Sequence, residues 1–221
     1  GNSIEDGFSQ QDLVNHAANT IVKTLGPNDR LAVIAFDDKM ETVLHLTKMT
    51  PMNVSSAMSK ISAIKPNSMT NIWQPIDTAL KMLDERDDKT RNTAIMLLTD
   101  GSPNISPARG EIQTLRNLRK SKNFSTPIYT LGFGYSLKNG LLYEMAREGN
   151  GNTGHIPDGS MIATVFNNFI GNILCTVAQN IQLHIMPLNG ASFMRDETLM
   201  GDYIYETKGN GELIINRTLN I

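Results

Sequence analysis

Asp100 closes the run Ile95-Met96-Leu97-Leu98-Thr99-Asp100-Gly101, so an apolar segment ends on a carboxylate. A strand this apolar belongs in a sheet covered on both faces. In such sheets ligands gather at the carboxyl ends of the strands. Two roles are open to Asp100: capping the next turn, or holding a ligand at the strand tip. Other residues offer less chemistry. His16, His45, His155 and His184 share no metal-ligand spacing. The single cysteine, Cys175, rules out an internal disulfide and a four-cysteine metal site. No G-x-S-x-G is present to mark a nucleophile. Gly149–Gly154 matches G-x-G-x-x-G letter for letter. It follows a helical pattern and precedes a strand, the reverse of the dinucleotide fingerprint, and reads as a connecting turn. Arg109, Arg116, Arg119, Lys120 and Lys122 gather on one helix and read as a solvated face, without the aromatic interleaving of a nucleic-acid surface.

The elements that must position Asp100 follow from periodicity. Leu13, Ala17, Ile21 and Val14, Ala18, Val22, Leu25 recur at helical spacing, with Ser9 and Asp12 at capping-box distance before them and Gly26-Pro27 after them. Residues 30–37 read as a buried strand and 41–49 as a half-exposed edge strand, with Asp37, Asp38 and Lys39 forming the hairpin turn between them. Helices are expected at 53–64 and 72–84, flanking the turn-rich loop 65–71. A strand at 93–100, a helix at about 107–121 and a strand at 128–134 come next. A helix at 139–149, a short strand at 154–157 and an apolar helix at 160–177 complete the series. Strand alternating with helix predicts an α/β fold: a doubly wound, mostly parallel sheet with helices on both faces. After about Val177 the pattern turns to alternation and glycine turns, which predicts four short antiparallel strands, the start of a β-sandwich. The expected division is therefore 1–176 and 177–221.

Composition bounds the partners. The 221 residues carry a formal net charge of −2, which gives no electrostatic case for nucleic acid or an anionic membrane. No run approaches the roughly twenty apolar residues of a membrane span. The lone cysteine leans towards a reducing compartment, hence a cytoplasmic protein. Four Asn-x-Ser/Thr triplets, at Asn53, Asn104, Asn123 and Asn216, would accept glycans in a secreted protein.

The order of "DLVNHAANTIVKTLGPNDRLAVIAF", "MTNIWQPIDTAL", "IMLLTDG" and "YTLGFG…LLYEMAREGNG" resembles the von Willebrand factor type A domain over roughly residues 1–175. The nearest flavour is the intracellular eukaryotic group in which this Rossmann-like domain precedes a β-rich segment, a group that includes ubiquitin-ligase relatives. The resemblance implies a metal-ion-dependent adhesion site (MIDAS) holding Mg²⁺ or Mn²⁺, with Thr70 and Asp100 at the matching positions, and a partner protein that supplies an acidic residue. It implies no catalysis. The family's Asp-x-Ser-x-Ser loop, and the central strand before it, have no counterpart in the sequence. The chain is therefore expected to be a fragment that lacks that strand, with much of its metal site outside it. Rival readings are a scaffold or substrate-recognition part of a ubiquitin-ligase-like protein, and an α/β hydrolase using Asp100.

Overall fold

The computed structural model describes residues 9–65, 70–99, 103–122, 126–133, 139–156, 161–193 and 205–220. Helix α1 (Gln10–Thr24) starts at a capping box: the Ser9 hydroxyl accepts from the Asp12 amide, and the Asp12 carboxylate accepts from the Ser9 amide. The Ser9 hydroxyl donating to the Asp12 carboxylate at 2.7 Å, and then the Ser9 amide, hold the Asp12 carboxyl below its ordinary pKa. Strands β1 (Arg30–Phe36) and β2 (Met40–Lys48) form an antiparallel hairpin, closed by Lys39 donating its amide to the Asp37 carboxylate. Helices α2 (Pro51–Ser62) and α3 (Trp73–Asp84) follow. Trp73 sits half-buried against the core, as an anchor at the start of its helix.

Strands β3 (Ile95–Thr99), β4 (Ile128–Phe133) and β5 (Thr153–Ile156) form a parallel sheet in the order β3-β4-β5. Every residue of β4 is buried, as a strand covered on both faces must be. On one face Leu13, Ala17, Leu131, Phe133 and Phe166 join α1 and α6 (Ile162–Leu174) to the sheet. On the other, Ile72, Ile76, Leu80, Leu97 and Leu115 join α3 and α4 (Glu111–Lys122), with Met145 of α5 (Asn139–Glu148). This is the doubly wound α/β arrangement expected. Thr130 is fully buried in β4 yet satisfied, donating its hydroxyl to the Leu142 carbonyl at 3.0 Å.

Two local expectations change. The basic helix is not a uniformly solvated face: Arg116 pairs with Glu148 at 2.9 Å, and Arg119 turns inward to donate to the Thr126 carbonyl. Burial lowers the Arg119 pKa from the ordinary guanidinium value. The last helix also ends earlier than its apolar run. It stops at Leu174, and Thr176 opens a strand, because Thr176 and Val177 are β-branched.

That strand, β6 (Thr176–Ile185), pairs antiparallel with β8 (Leu213–Asn220), which also pairs with β7 (Tyr205–Thr207). Three strands are thus seen among the described residues where four were expected. At this sheet Glu212 accepts from His184 Nδ1 at 2.5 Å and from Lys208 at 3.3 Å. His184 above all holds the Glu212 carboxyl below its usual range; burial, next in size, opposes it, and Lys208 and Asn210 add to the lowering. A depressed carboxylate contributes stability above its unfolded pKa, and that contribution disappears as pH falls through the folded value. Urea midpoints measured downward from neutrality should therefore fall below about pH 4.5 more steeply than those of Glu212→Gln.

Candidate functional site

The parallel strands place their carboxyl ends at one edge, and Thr70 lies there. The adjoining Asn71 amide donates to the carbonyl of Asp37, just past β1, at 2.8 Å. On the other side Asn104, in the loop after β3, clamps Thr70 twice. The Asn104 side-chain carbonyl accepts from the Thr70 amide at 2.7 Å, and the Asn104 amide donates to the Thr70 carbonyl at 2.9 Å. These bonds use only the Thr70 backbone, so the hydroxyl takes no part in the clamp.

Asp100 directly follows Thr99, the buried last residue of β3, but Asp100 and Ser102 lie outside the described residues. Asp37 is the hairpin residue expected of it, and Asp38 lies beside it in the same turn. Among the described residues no group of three or more His, Cys, Asp and Glu could hold a metal. A hard divalent cation takes oxygen donors and keeps several waters. Thr70 offers one such donor at this edge. Asp100, next in sequence to Thr99, offers a carboxylate of the right chemistry.

Asn104 is the residue that sequence reading missed, noted only as part of an Asn-x-Ser triplet. Its separation of 34 residues from Thr70 is invisible to any local pattern. Asn104→Ala should cost about 1 kcal/mol of stability and raise the exchange rate of the Thr70 amide severalfold, measured by hydrogen exchange.

The second feature is a gap beside this edge. Among the described residues, β1 pairs only with β2 and β3 only with β4, so each strand has one unpaired edge. The ends of β1 and β3 are nevertheless tied. At the amino ends Arg91, before β3, donates to the Asn28 carbonyl, before β1, at 2.7 Å. At the carboxyl ends the tie runs from Asp37 through Asn71 and Thr70 to Asn104. Amino end meets amino end and carboxyl end meets carboxyl end, so β1 and β3 point the same way. Between them lies a cavity of about 1400 Å³, lined by residues 30–36 and 93–99 along both strands. Its walls are Val14, Ala18 and Ile21 of α1 on one side and Ala79, Met82 and Leu83 of α3 on the other. This opening is where the expected central strand would lie.

Comparison with known proteins agrees with this geometry. The sequence profile of the family described as von Willebrand factor type A domain matches residues 2–102. The inter-alpha-trypsin inhibitor heavy chain H3 of Rattus norvegicus is 30% identical over 169 residues, covering 74% of this chain and 19% of that protein. The chain thus spans about a fifth of the length of this relative. A von Willebrand factor type A structure from Catenulispora acidiphila shares the fold at a TM-score of 0.76, with 16% identity, over 95% of this chain and 50% of that one. The proximal thread matrix protein 1 from the mussel byssus, with a zinc-occupied MIDAS motif, aligns at a TM-score of 0.59 with 12% identity, over 80% of this chain and 44% of that one. Residues 2–102 thus match the von Willebrand factor type A domain family, and the α/β layering of the chain is the fold of a solved structure of that type.

Proposed function

We propose that this chain is part of a non-catalytic protein-interaction module that takes an acidic residue of a partner protein through a divalent cation at the Thr70–Asp100 edge. The observation that supports this most is the fixed position of Thr70, held by its backbone between the ends of β1 and β3 with its hydroxyl left out of the clamp. Mg²⁺ or Mn²⁺ bound there would supply the positive charge that a partner carboxylate needs. Thr70 would hold it through its hydroxyl and Asp100 through its carboxylate, with waters completing the shell. The zinc-occupied MIDAS motif of the mussel protein supports the same reading by fold alone. A cytoplasmic setting and a boundary near residue 176 belong to this proposal as well. The ubiquitin-ligase scaffold and the hydrolase have no supporting observation among the described residues.

The test is calorimetric titration of Mg²⁺ and Mn²⁺ into this chain and into a form extended upstream of Gly1, each beside Thr70→Ala and Asp100→Ala. Saturable binding in the extended form, weakened at least tenfold by either substitution, is the expected result. Binding that both substitutions leave unchanged would overturn the site. Metal-dependent ester hydrolysis abolished by Asp100→Ala would overturn the non-catalytic reading.

A further inference from the structure

We infer that Asn104 is a positioning residue of the cation edge, joining the loop that carries Thr70 to the loop that begins at Asp100 so that both donors are offered together. The inference rests on the reading of that edge as a divalent-cation site and names the joint that holds it.

The two donors belong to different pieces of the fold. Thr70 goes with α3 and the hairpin. Its neighbour Asn71 accepts from the Gln74 amide through its side-chain carbonyl at 3.2 Å, in the first turn of α3, where the N-cap residue Ile72 makes no side-chain cap. The Asn71 amide donates to the Asp37 carbonyl, just past β1. Asp100 goes with β3, as the residue after Thr99. Among the described residues of the two loops, 70–72 and 103–110, every hydrogen bond that crosses from one to the other ends on Thr70. Two come from Asn104, and a longer third, at 3.4 Å, runs from the Ile105 amide to the Thr70 carbonyl.

The residue type at 104 makes the joint two-sided. Any residue but proline could donate its amide to the Thr70 carbonyl there. Taking the Thr70 amide as well needs a side-chain acceptor of the right reach, and the Asn104 carbonyl takes it at 2.7 Å. The Thr70 hydroxyl is left out of the joint, so clamping Thr70 does not consume its donor. Fixing donors before the ligand arrives removes an ordering cost that would otherwise come out of the affinity. A binding constellation works when its groups are held to within about 0.5 Å. Asn104 thus acts through Thr70.

The test titrates Mg²⁺ by calorimetry into whichever of the two forms binds it, the 221-residue chain or the one extended upstream. Asn104→Ala should weaken binding about fivefold or more. Without metal it should speed hydrogen exchange of the Thr70 amide and leave the Asn71 amide, held by Asp37, slow. Asn104→Asp keeps the acceptor, and should restore slow Thr70 exchange and bind Mg²⁺ at least as tightly as the unsubstituted chain. Ser106→Asp added to Asn104→Ala supplies the same charge at an exposed neighbour without the acceptor, and should leave the Thr70 amide fast. Ile61→Val, which trims the buried cluster of Leu44, Met49 and Ala57, controls for lost stability and should keep the affinity within about twofold. Unchanged affinity in Asn104→Ala, while Thr70→Ala and Asp100→Ala weaken it, would overturn the inference and leave the cation site standing. Equal losses in Asn104→Ala and Ile61→Val, or failure of Asn104→Asp to restore slow exchange, would overturn it too. Binding in neither form, or binding indifferent to Thr70→Ala and Asp100→Ala, would overturn site and inference together.

Discussion

Gly151→Ala should cost about 3–5 kcal/mol, a size reached only when a substitution strikes something that cannot move. A β-carbon at position 151 would stand 2.2 Å from the Ile128 carbonyl oxygen, 2.6 Å from its carbon and 3.1 Å from the Tyr129 nitrogen. All three atoms are backbone, at the start of the central buried strand β4, so no side chain can rotate aside. The turn that carries Gly151 has little freedom either. Gly151 donates its amide to the Ala146 carbonyl at 2.9 Å, and Asn150 before it already occupies the left-handed region at φ 54°. Total stability of a domain is about 5–15 kcal/mol, so this one methyl group would remove a large share of it. Urea unfolding gives the answer through the midpoint. A loss under about 1 kcal/mol would mean that the turn and β4 slide apart cheaply.

Phe133→Ala is the second large effect expected, at about 3–5 kcal/mol from lost burial and the cavity left behind. Phe133 is fully buried at the last residue of β4, within the cluster that joins α1 and α6 to the sheet. Its ring holds the carboxyl end of β4 against α6, beside β3, whose last residue precedes Asp100. The loss should therefore reach the strand-end edge as well as the core. Met52→Ala is the control, because Met52 is 80% exposed and should change the urea midpoint by less than about 0.5 kcal/mol. Equal midpoint shifts for the two variants would contradict the packing described.

The sequence carries most of the fold because its local signals agree with one another. The Ser9–Asp12 pair, the helical spacing of Leu13 and Ala17, and Gly26-Pro27 all mark one helix, and the structure forms it at Gln10–Thr24. The run through Thr99 reads as a buried strand and pairs in parallel with β4. The glycines of 149–154 read as a turn, and Gly149 to Gly151 form one, with Gly151 pressed against β4, while Gly154 already lies in β5. Local patterns fail where a side chain answers a distant backbone. Arg119 counts as surface charge until its partner, the Thr126 carbonyl across a loop, is known. Asn104 stands out only as part of an Asn-x-Ser triplet until Thr70, far away in the chain, is seen to close on it. The end of α6 at Leu174 was hidden for another reason: the same apolar residues suit a helix and then the strand that follows.

The ties between β1 and β3 bear on how the molecule comes apart. Among the described residues no backbone ladder joins the β1–β2 hairpin to the parallel sheet, so that boundary relies on the end ties and on the helices that cross it. Helix α1 crosses it most plainly, with Leu13 and Ala17 in the cluster under β4 and Val22 in the one with Leu44, Met49, Ala57 and Ile61. The fold is thus two units riveted by helices α1 and α3, the second packing Phe36 of β1 in one cluster with Ile95 and Leu97 of β3. Under load or in mild denaturant, the hairpin with α2 should peel away as a piece while β3, β4 and β5 stay closed.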